Sequence, residues 1–186
     1  MAQRNSMRSF SNRDASDKKI LFDINGGIRN TLILTRNEYY NCADIETKLE
    51  ELPPVRCNPE QINQVVLNLI VNSASAIASQ KRSGNGKITI HTWFDSKNIY
   101  CSIADDGPGI SQEIRTHIFE PFFSTKNPGQ GKGRGLGLSI CYDIITHKHE
   151  GTLTVDCLPE GGTVFIITLP QPSNPVIIEG SLQIDS

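Results

Sequence analysis

The chain has 186 residues, enough for one domain with a real core, and carries 37% hydrophobic and 20% charged residues. A net charge of -2 leaves no global field to draw nucleic acid. No apolar run approaches the roughly 18 residues that span a bilayer, and the polar stretch 1–12 lacks a signal-peptide core. The expectation is a cytoplasmic chain, or a cytoplasmic piece of a longer one, with no nucleic-acid partner and no direct membrane contact.

In chain order, residues 1–17 are rich in Ser, Arg, Asn and Asp and read as a frayed tail or linker. Residues 19–23 suggest a short edge strand. Residues 25–40 carry Ile28, Leu32, Ile33 and Leu34 among polar neighbours and predict a helix, and 42–49 a short strand. The next helix has the clearest start: Asn58 can N-cap, Pro59 suits the first helical position, and Gln61 stands where a capping box wants Glu or Gln. Ile62, Val65, Val66, Leu69, Ser73, Ala76 and Ile77 follow with 3.6-residue spacing, and Asn68 and Asn72 stack on the border of that arc.

After Gly84-Asn85-Gly86, the alternation of Ile88 with Ile90, and of Ile99, Cys101 and Ile103, predicts strands over 87–94 and 98–104, joined by a hairpin loop at 95–97. Residues 107–134 hold five glycines and three prolines and resist assignment to an element. A loop this long inside a domain is functional or disordered. A helix over 135–149 has Leu138, Cys141, Ile144 and Ile145 facing inward, His147, Lys148 and His149 in its last turn, and Gly151 as C-cap. Strands over 152–157 and 163–169 close the domain, and the Pro-rich tail after 170 shows little pattern. Five cysteines (Cys42, Cys57, Cys101, Cys141, Cys157), odd in number and without Cys-x-x-Cys spacing, argue against a zinc site or disulfide framework and read as small buried hydrophobes.

Three segments carry chemistry. Asp105 ends a strand and opens a glycine turn. An Asp-Gly-type turn is common for structural reasons alone, but a carboxylate here also suits the exocyclic amine of adenine and repels the oxygen of guanine. Gly107 and Gly109 would let backbone approach the base. Gly133, Gly135 and Gly137 alternate and lead straight into a helix. As a linker they would only be flexible, whereas successive exposed N–H groups and a helix N-terminus make an anion cradle suited to a triphosphate. The segment matches neither a Walker loop nor G-x-G-x-x-G, since Leu138 replaces the third glycine. The asparagine pair is third: an amide oxygen is a suitable hard ligand for Mg²⁺, with Asn72 the preferred ligand. Lys126 and Arg134 are either solvated charges or phosphate contacts, and Phe119, Phe122 and Phe123 either dock a lid or pack as core. His91 and His117 have no metal-ligand spacing. Together the segments predict an ATP site.

These residues resemble the catalytic, ATP-binding domain of bacterial sensor histidine kinases, in the superfamily that includes gyrase, Hsp90 and MutL. The asparagine helix resembles the N box, Asp105-Asp106-Gly107-Pro108-Gly109 the first glycine box, residues 119–126 the F box, Gly133-Arg134-Gly135-Leu136-Gly137-Leu138 the second glycine box, and Gly161-Gly162-Thr163 the last. The resemblance spans about residues 17–170. It implies a Bergerat-type two-layer α/β sandwich: a mixed, mostly antiparallel sheet on one layer of about three helices, with a long mobile lid at 107–134. It implies a catalytic domain over 18–170, a linker remnant at 1–17 and a tail at 171–186.

By the same resemblance, Asn72 holds Mg²⁺ and Asp105 and Thr163 read adenine. Gly107, Gly109 and Ile110 line the base side. Gly133, Arg134, Gly135, Leu136, Gly137 and Leu138 wrap the phosphates with Lys126. The implied reaction moves the γ-phosphoryl group of ATP to a histidine, from which a response-regulator aspartate later receives it. In the hydrolytic branches a glutamate four residues before the metal asparagine activates water. Here that place is Asn68, whose amide cannot take the proton, whereas a neutral imidazole needs no such base. None of His91, His117, His147 or His149 has the sequence context of a phosphoacceptor, so the acceptor is expected on a dimerisation domain before residue 1, with autophosphorylation of this piece impaired. Ser73 stands where alanine is usual, with little effect expected. The competing readings are a superfamily ATPase and a nucleotide-binding pseudokinase.

Overall fold

A computed structural model describes residues 18–123 and 135–171. Its centre is the helix with the strong start signal, α3 (Pro59–Ser79). The Asn58 side chain accepts the N–H of Gln61 at 3.1 Å, satisfying one of the amides that a helix start leaves open. Ile62, Val65, Val66, Leu69, Ile70, Ser73, Ala74 and Ile77 are buried. Six of those eight positions lie on the predicted arc, while Ala76 is only half-buried. By length and hydropathy alone α3 could cross a bilayer, more apolar than the sequence reading allowed. Its apolar arc is instead spent on the core of the domain.

Before it come β1 (Ile20–Phe22), α1 (Ile24–Leu34), the single turn α2 (Arg36–Tyr39), β2 (Ala43–Leu49) and β3 (Val55–Cys57). The helix predicted over 25–40 breaks at Thr35 (φ -93°, ψ 5°), whose hydroxyl donates back to the Thr31 carbonyl at 2.8 Å. Ile33 and Leu34 are exposed rather than core, because α1 buries Ile24, Ile28 and Thr31. After α3 follow β4 (Gly86–Phe94), β5 (Asn98–Asp105), the short helix α4 (Gln112–His117), α5 (Gly137–Asp143) running into a π turn at Ile144–Lys148, β6 (Thr152–Cys157) and β7 (Thr163–Pro170).

The main sheet has the order β2-β4-β5-β7-β6; β2 pairs parallel with β4 and every other pairing is antiparallel. β1 belongs to a separate two-stranded sheet with β3, not to the edge of the main one. The strict alternation of β5 and β7 puts Ile99, Cys101, Ile103, Phe165, Ile167 and Leu169 on the helix side, as a half-buried sheet requires. Buried Thr92 interrupts the apolar row of β4 without orphaning a polar group. Its hydroxyl donates to Asn25 Oδ1 at 2.9 Å, and Asn25 Nδ2 donates to the Glu50 carbonyl at 2.7 Å. The result is the expected two-layer sandwich.

Two expectations about the second half change. The stretch 107–134 is not all loop. Ser111 caps α4 by accepting the N–H of Ile114 at 3.3 Å, with Glu113 in the first turn. The Gly and Pro density on either side masks that signal. The helix predicted from 135 starts at Gly137, and its C-terminal left-handed position is taken by Glu150 (φ 56°) rather than Gly151. Gly151 instead donates to the Ile145 carbonyl at 2.9 Å and runs so close to β7 that a Cβ would lie 2.2 Å from the Thr168 carbonyl. Cys57, Cys101 and Cys141 are buried as expected, but Cys157 is exposed. Burial pushes the Cys57 and Cys101 thiols up to about 12, which leaves them protonated and inert.

Candidate functional site

Asp105 and Asp106 are separated by the strand's own alternation. Asp105, the last residue of β5, points to the helix side and is 3% exposed. Asp106 turns outward, where its Oδ1 accepts Arg82 Nη2 at 2.7 Å and the Lys87 N–H at 2.8 Å. Burial alone would raise the Asp106 carboxyl, but these donors hold it below the usual range. For Asp105 the balance reverses: burial pushes its carboxyl up, and the hydrogen bonds that favour its charged form only partly offset this. Those bonds come from Ser73 Oγ to Oδ2 at 2.9 Å, from the Gly107 N–H to Oδ1 at 3.0 Å, and from the backbone of Thr163, its register partner on β7.

The glycines around Asp105 have internal reasons as well. A Cβ on Gly107 would lie 2.7 Å from Asp105 Oδ1, so only glycine brings that N–H onto the carboxylate. Gly162 takes φ 98°, and a Cβ there would lie 1.9 Å from the Asp105 carbonyl. Gly109 (φ 73°) passes the Gly162 carbonyl. The last glycine box thus packs directly on the first. At Ile110 the carbonyl accepts the Cys157 thiol at 3.0 Å, and Arg115 of α4 pairs with Asp156 of β6. The end of β6 thereby holds the segment that leaves the first glycine box.

Asn72 is half-buried and immediately precedes Ser73, so the proposed metal ligand and the donor to Asp105 share one turn of α3. One turn earlier, Asn68 Nδ2 donates to Cys141 Sγ at 3.6 Å. The backbone N–H of Asn58 donates to His149 Nε2 at 3.0 Å. Those two contacts fix the direction of packing: as α5 runs from Cys141 to His149, α3 is met from Asn68 back to Asn58. The helices are antiparallel, and the N-terminal end of α5, with Gly135, Leu136, Gly137 and Leu138, is directed towards Asn72. The sequence places His149 in the last turn of the helix and says nothing of its burial. It is buried, its Nδ1 donating to the Ile144 carbonyl at 2.8 Å.

Gly135 (φ 68°) is forced by the chain crossing it: a Cβ would lie 2.7 Å from the Phe123 carbonyl. The two described ends around the F box and second glycine box therefore touch. Phe119 packs at a tilt against Tyr142 of α5, with ring centroids 5.2 Å apart, while Phe122 is exposed. A Cβ on Gly137 would meet nothing within 4 Å, as at Gly84 and Gly161, but unlike those two Gly137 has no positive φ. Among the described residues nothing demands a glycine at that place, at the start of α5. Lys126, Gly133 and Arg134 lie outside the described residues. Within them, Asn68, Asn72, Asp105, Gly107, Gly109, Ile110, Leu136, Leu138 and Thr163 occupy one end of the sandwich, along α3, α5 and the C-terminal end of β5 with the facing start of β7. Sequence reading missed the Ser73 contact, His149 and the Arg115–Asp156 pair. Only the Ser111 cap that orients Arg115 had a local signal.

A two-layer sandwich with a buried carboxylate at the end of a central strand, faced by an asparagine-bearing helix, defines a nucleotide-binding class. Residues 57–173 match the family described as "Histidine kinase-, DNA gyrase B-, and HSP90-like ATPase", and the chain belongs to that family. Among curated proteins it is 35% identical over 150 residues to the signal transduction histidine-protein kinase AtoS of Escherichia coli, covering 79% of this chain and 23% of that protein. It is 34% identical over 150 residues to sporulation kinase E of Bacillus subtilis, covering 79% of this chain and 19% of that one. The chain thus spans about a quarter or less of these relatives. Among solved structures, the nucleotide-free catalytic domain of histidine kinase ThkA superposes with a TM-score of 0.71 at 31% identity, covering 83% of this chain and 98% of that domain. The chain is a histidine-kinase-type ATPase domain in sequence and fold.

Proposed function

We propose that this chain binds Mg-ATP and donates the γ-phosphoryl group to a histidine on a separate dimerisation domain, as the kinase core of a two-component signalling system. The observation that carries the reading is the Ser73–Asp105 contact beside Asn72. It ties Asp105 at the end of β5, read here as the base-reading carboxylate, to the turn of α3 that carries Asn72, read here as the metal ligand. Thr163 supports the carboxylate from β7. The space above Gly137 admits phosphate oxygens to the amides that open α5, and the family resemblance assigns Lys126, Gly133 and Arg134 to the same phosphates.

Magnesium fits the donor set. Among the described residues no group of three or more His, Cys, Asp or Glu forms a cage. That suits an ion held by one amide oxygen, substrate phosphates and water rather than by protein alone. When bound, the ion supplies charge neutralisation at the phosphates. The chain's own residues supply position: Asp105 holds the base, Asn72 orients the metal, and the glycines remove side chains from the phosphate path. In the transfer the γ-phosphorus leaves the bridging oxygen, ADP keeps that electron pair, and a phosphorus–nitrogen bond forms on the imidazole.

Asn68 favours this over hydrolysis. Its amide faces the Cys141 thiol and has no carboxylate to accept a proton from water. The known complex of ThkA with response regulator TrrA, whose kinase chain matches with a TM-score of 0.67 at 30% identity, covering 83% of this chain and 42% of that one, supports a response regulator as the downstream acceptor. The test is nucleotide titration with and without Mg²⁺, followed by phosphate-release and phosphohistidine assays with the dimerisation domain of the parent kinase supplied in trans. Metal-dependent ATP binding, slow phosphate release and labelling of the added domain are expected. Steady hydrolysis would mark an ATPase, and metal-independent or absent binding a pseudokinase.

A further inference from the structure

Resting on the assignment of Asp105 to the base, we infer that Ser73 is the positioning residue that aims this carboxylate at adenine. Ser73 is 1% exposed and sits mid-helix, where a serine hydroxyl usually turns back to its own helix carbonyl. Here it donates across the layer to Asp105 Oδ2 at 2.9 Å, from a residue 32 positions away in the chain. The Gly107 N–H holds the other oxygen at 3.0 Å. With one donor on α3 and one on the turn after β5, the plane of the carboxylate is fixed from both sides.

The consequence is chemical. An exocyclic amine needs an acceptor of fixed direction, and a buried carboxyl with too few donors would hold a proton and offer a donor instead. Ser73 supplies the single side-chain donor to Asp105 among its hydrogen bonds in the described residues. Because Ser73 follows Asn72, the same turn sets the base at one end of the nucleotide and the metal at the other. A hydroxyl here is therefore more than a tolerated exchange for alanine: it tunes recognition of the base and leaves phosphate binding alone.

The test is a binding experiment on Ser73→Ala and Ser73→Cys, with ATP and inosine triphosphate as probes in excess Mg²⁺, beside nucleotide-free melts of each protein. Inosine triphosphate carries oxygen where adenine has its amine, so it reports the phosphate and metal contacts without the base contact. Ser73→Ala is expected to weaken ATP binding about tenfold, the worth of one hydrogen bond to a charged group. Binding of inosine triphosphate should change little. Ser73→Cys, with its weak S–H donor, should fall between. A wild type that discriminates between the two probes while Ser73→Ala matches it would overturn the assignment of Ser73 alone. Equal losses for both probes would assign Ser73 a merely structural role and overturn it too. A wild type that binds neither probe would overturn the nucleotide reading together with this inference.

Discussion

The backbone N–H of Asn58 donates to the imidazole of His149 at 3.0 Å across 91 residues of sequence. Asn58 is the residue whose side chain starts α3, and His149 ends the turn that follows α5. One imidazole therefore joins the start of α3 to the end of the turn after α5, in keeping with the antiparallel packing that directs Gly137 towards Asn72.

Removing that ring deletes a buried hydrogen bond between the two elements. His149→Ala should lower stability by about 1–3 kcal/mol. A denaturant titration reads this as a lower midpoint at unchanged slope. A midpoint equal to wild type would show that the contact contributes nothing.

Two glycines of neighbouring motifs should behave oppositely. Gly162→Ala puts a Cβ 1.9 Å from the Asp105 carbonyl at φ 98°, and should cost more than about 2 kcal/mol or prevent folding. Gly137→Ala meets open space at the first turn of α5. It should keep or slightly raise the melting temperature while weakening nucleotide binding by tenfold or more. Gly137→Ala with wild-type affinity would remove this residue from the phosphate site.

Asn72→Ala should weaken ATP binding about tenfold in Mg²⁺ and hardly at all in chelator. That split separates loss of a metal ligand from loss of a base contact. Isothermal titration under both conditions checks it, and an equal loss in both would argue against metal ligation.

Carboxylates of the two types should give opposite pH slopes. Asp105 is raised by burial, so its contribution to stability is fully present below the unfolded value of about 3.9 and is lost as pH climbs through the raised folded value. In nucleotide-free melts, Asp105→Asn should therefore gain on wild type as pH rises through that window, then hold level. Asp95 is held low by the Lys97 and Asn98 N–H groups, both at 2.8 Å, and by the Tyr100 hydroxyl. Its contribution is present above about 3.9 and fades as pH falls, so Asp95→Asn should lose to wild type at neutral pH and converge with it in acid. Parallel curves for the two variants would contradict both assignments.

What lies within one element was legible in the residues. Asn58-Pro59 announced the start of α3 and the 3.6-residue arc announced its buried face. The period-two rows of Ile88–Ile90 and Ile99–Ile103 announced two of the strands, and the three ordered motifs announced the nucleotide. These signals are local: propensity, capping and alternation act between residues a few positions apart. Tertiary structure decided what those signals leave free. It paired β2 parallel to β4, took β1 away from the main sheet, and buried His149 at the start of α3. It also turned Ser73 from a presumed bystander into a donor to Asp105. Each of these is a hydrogen-bonded meeting of distant segments, selected because a buried polar group must find a partner wherever packing has put it. No periodicity in the chain records which partner that will be.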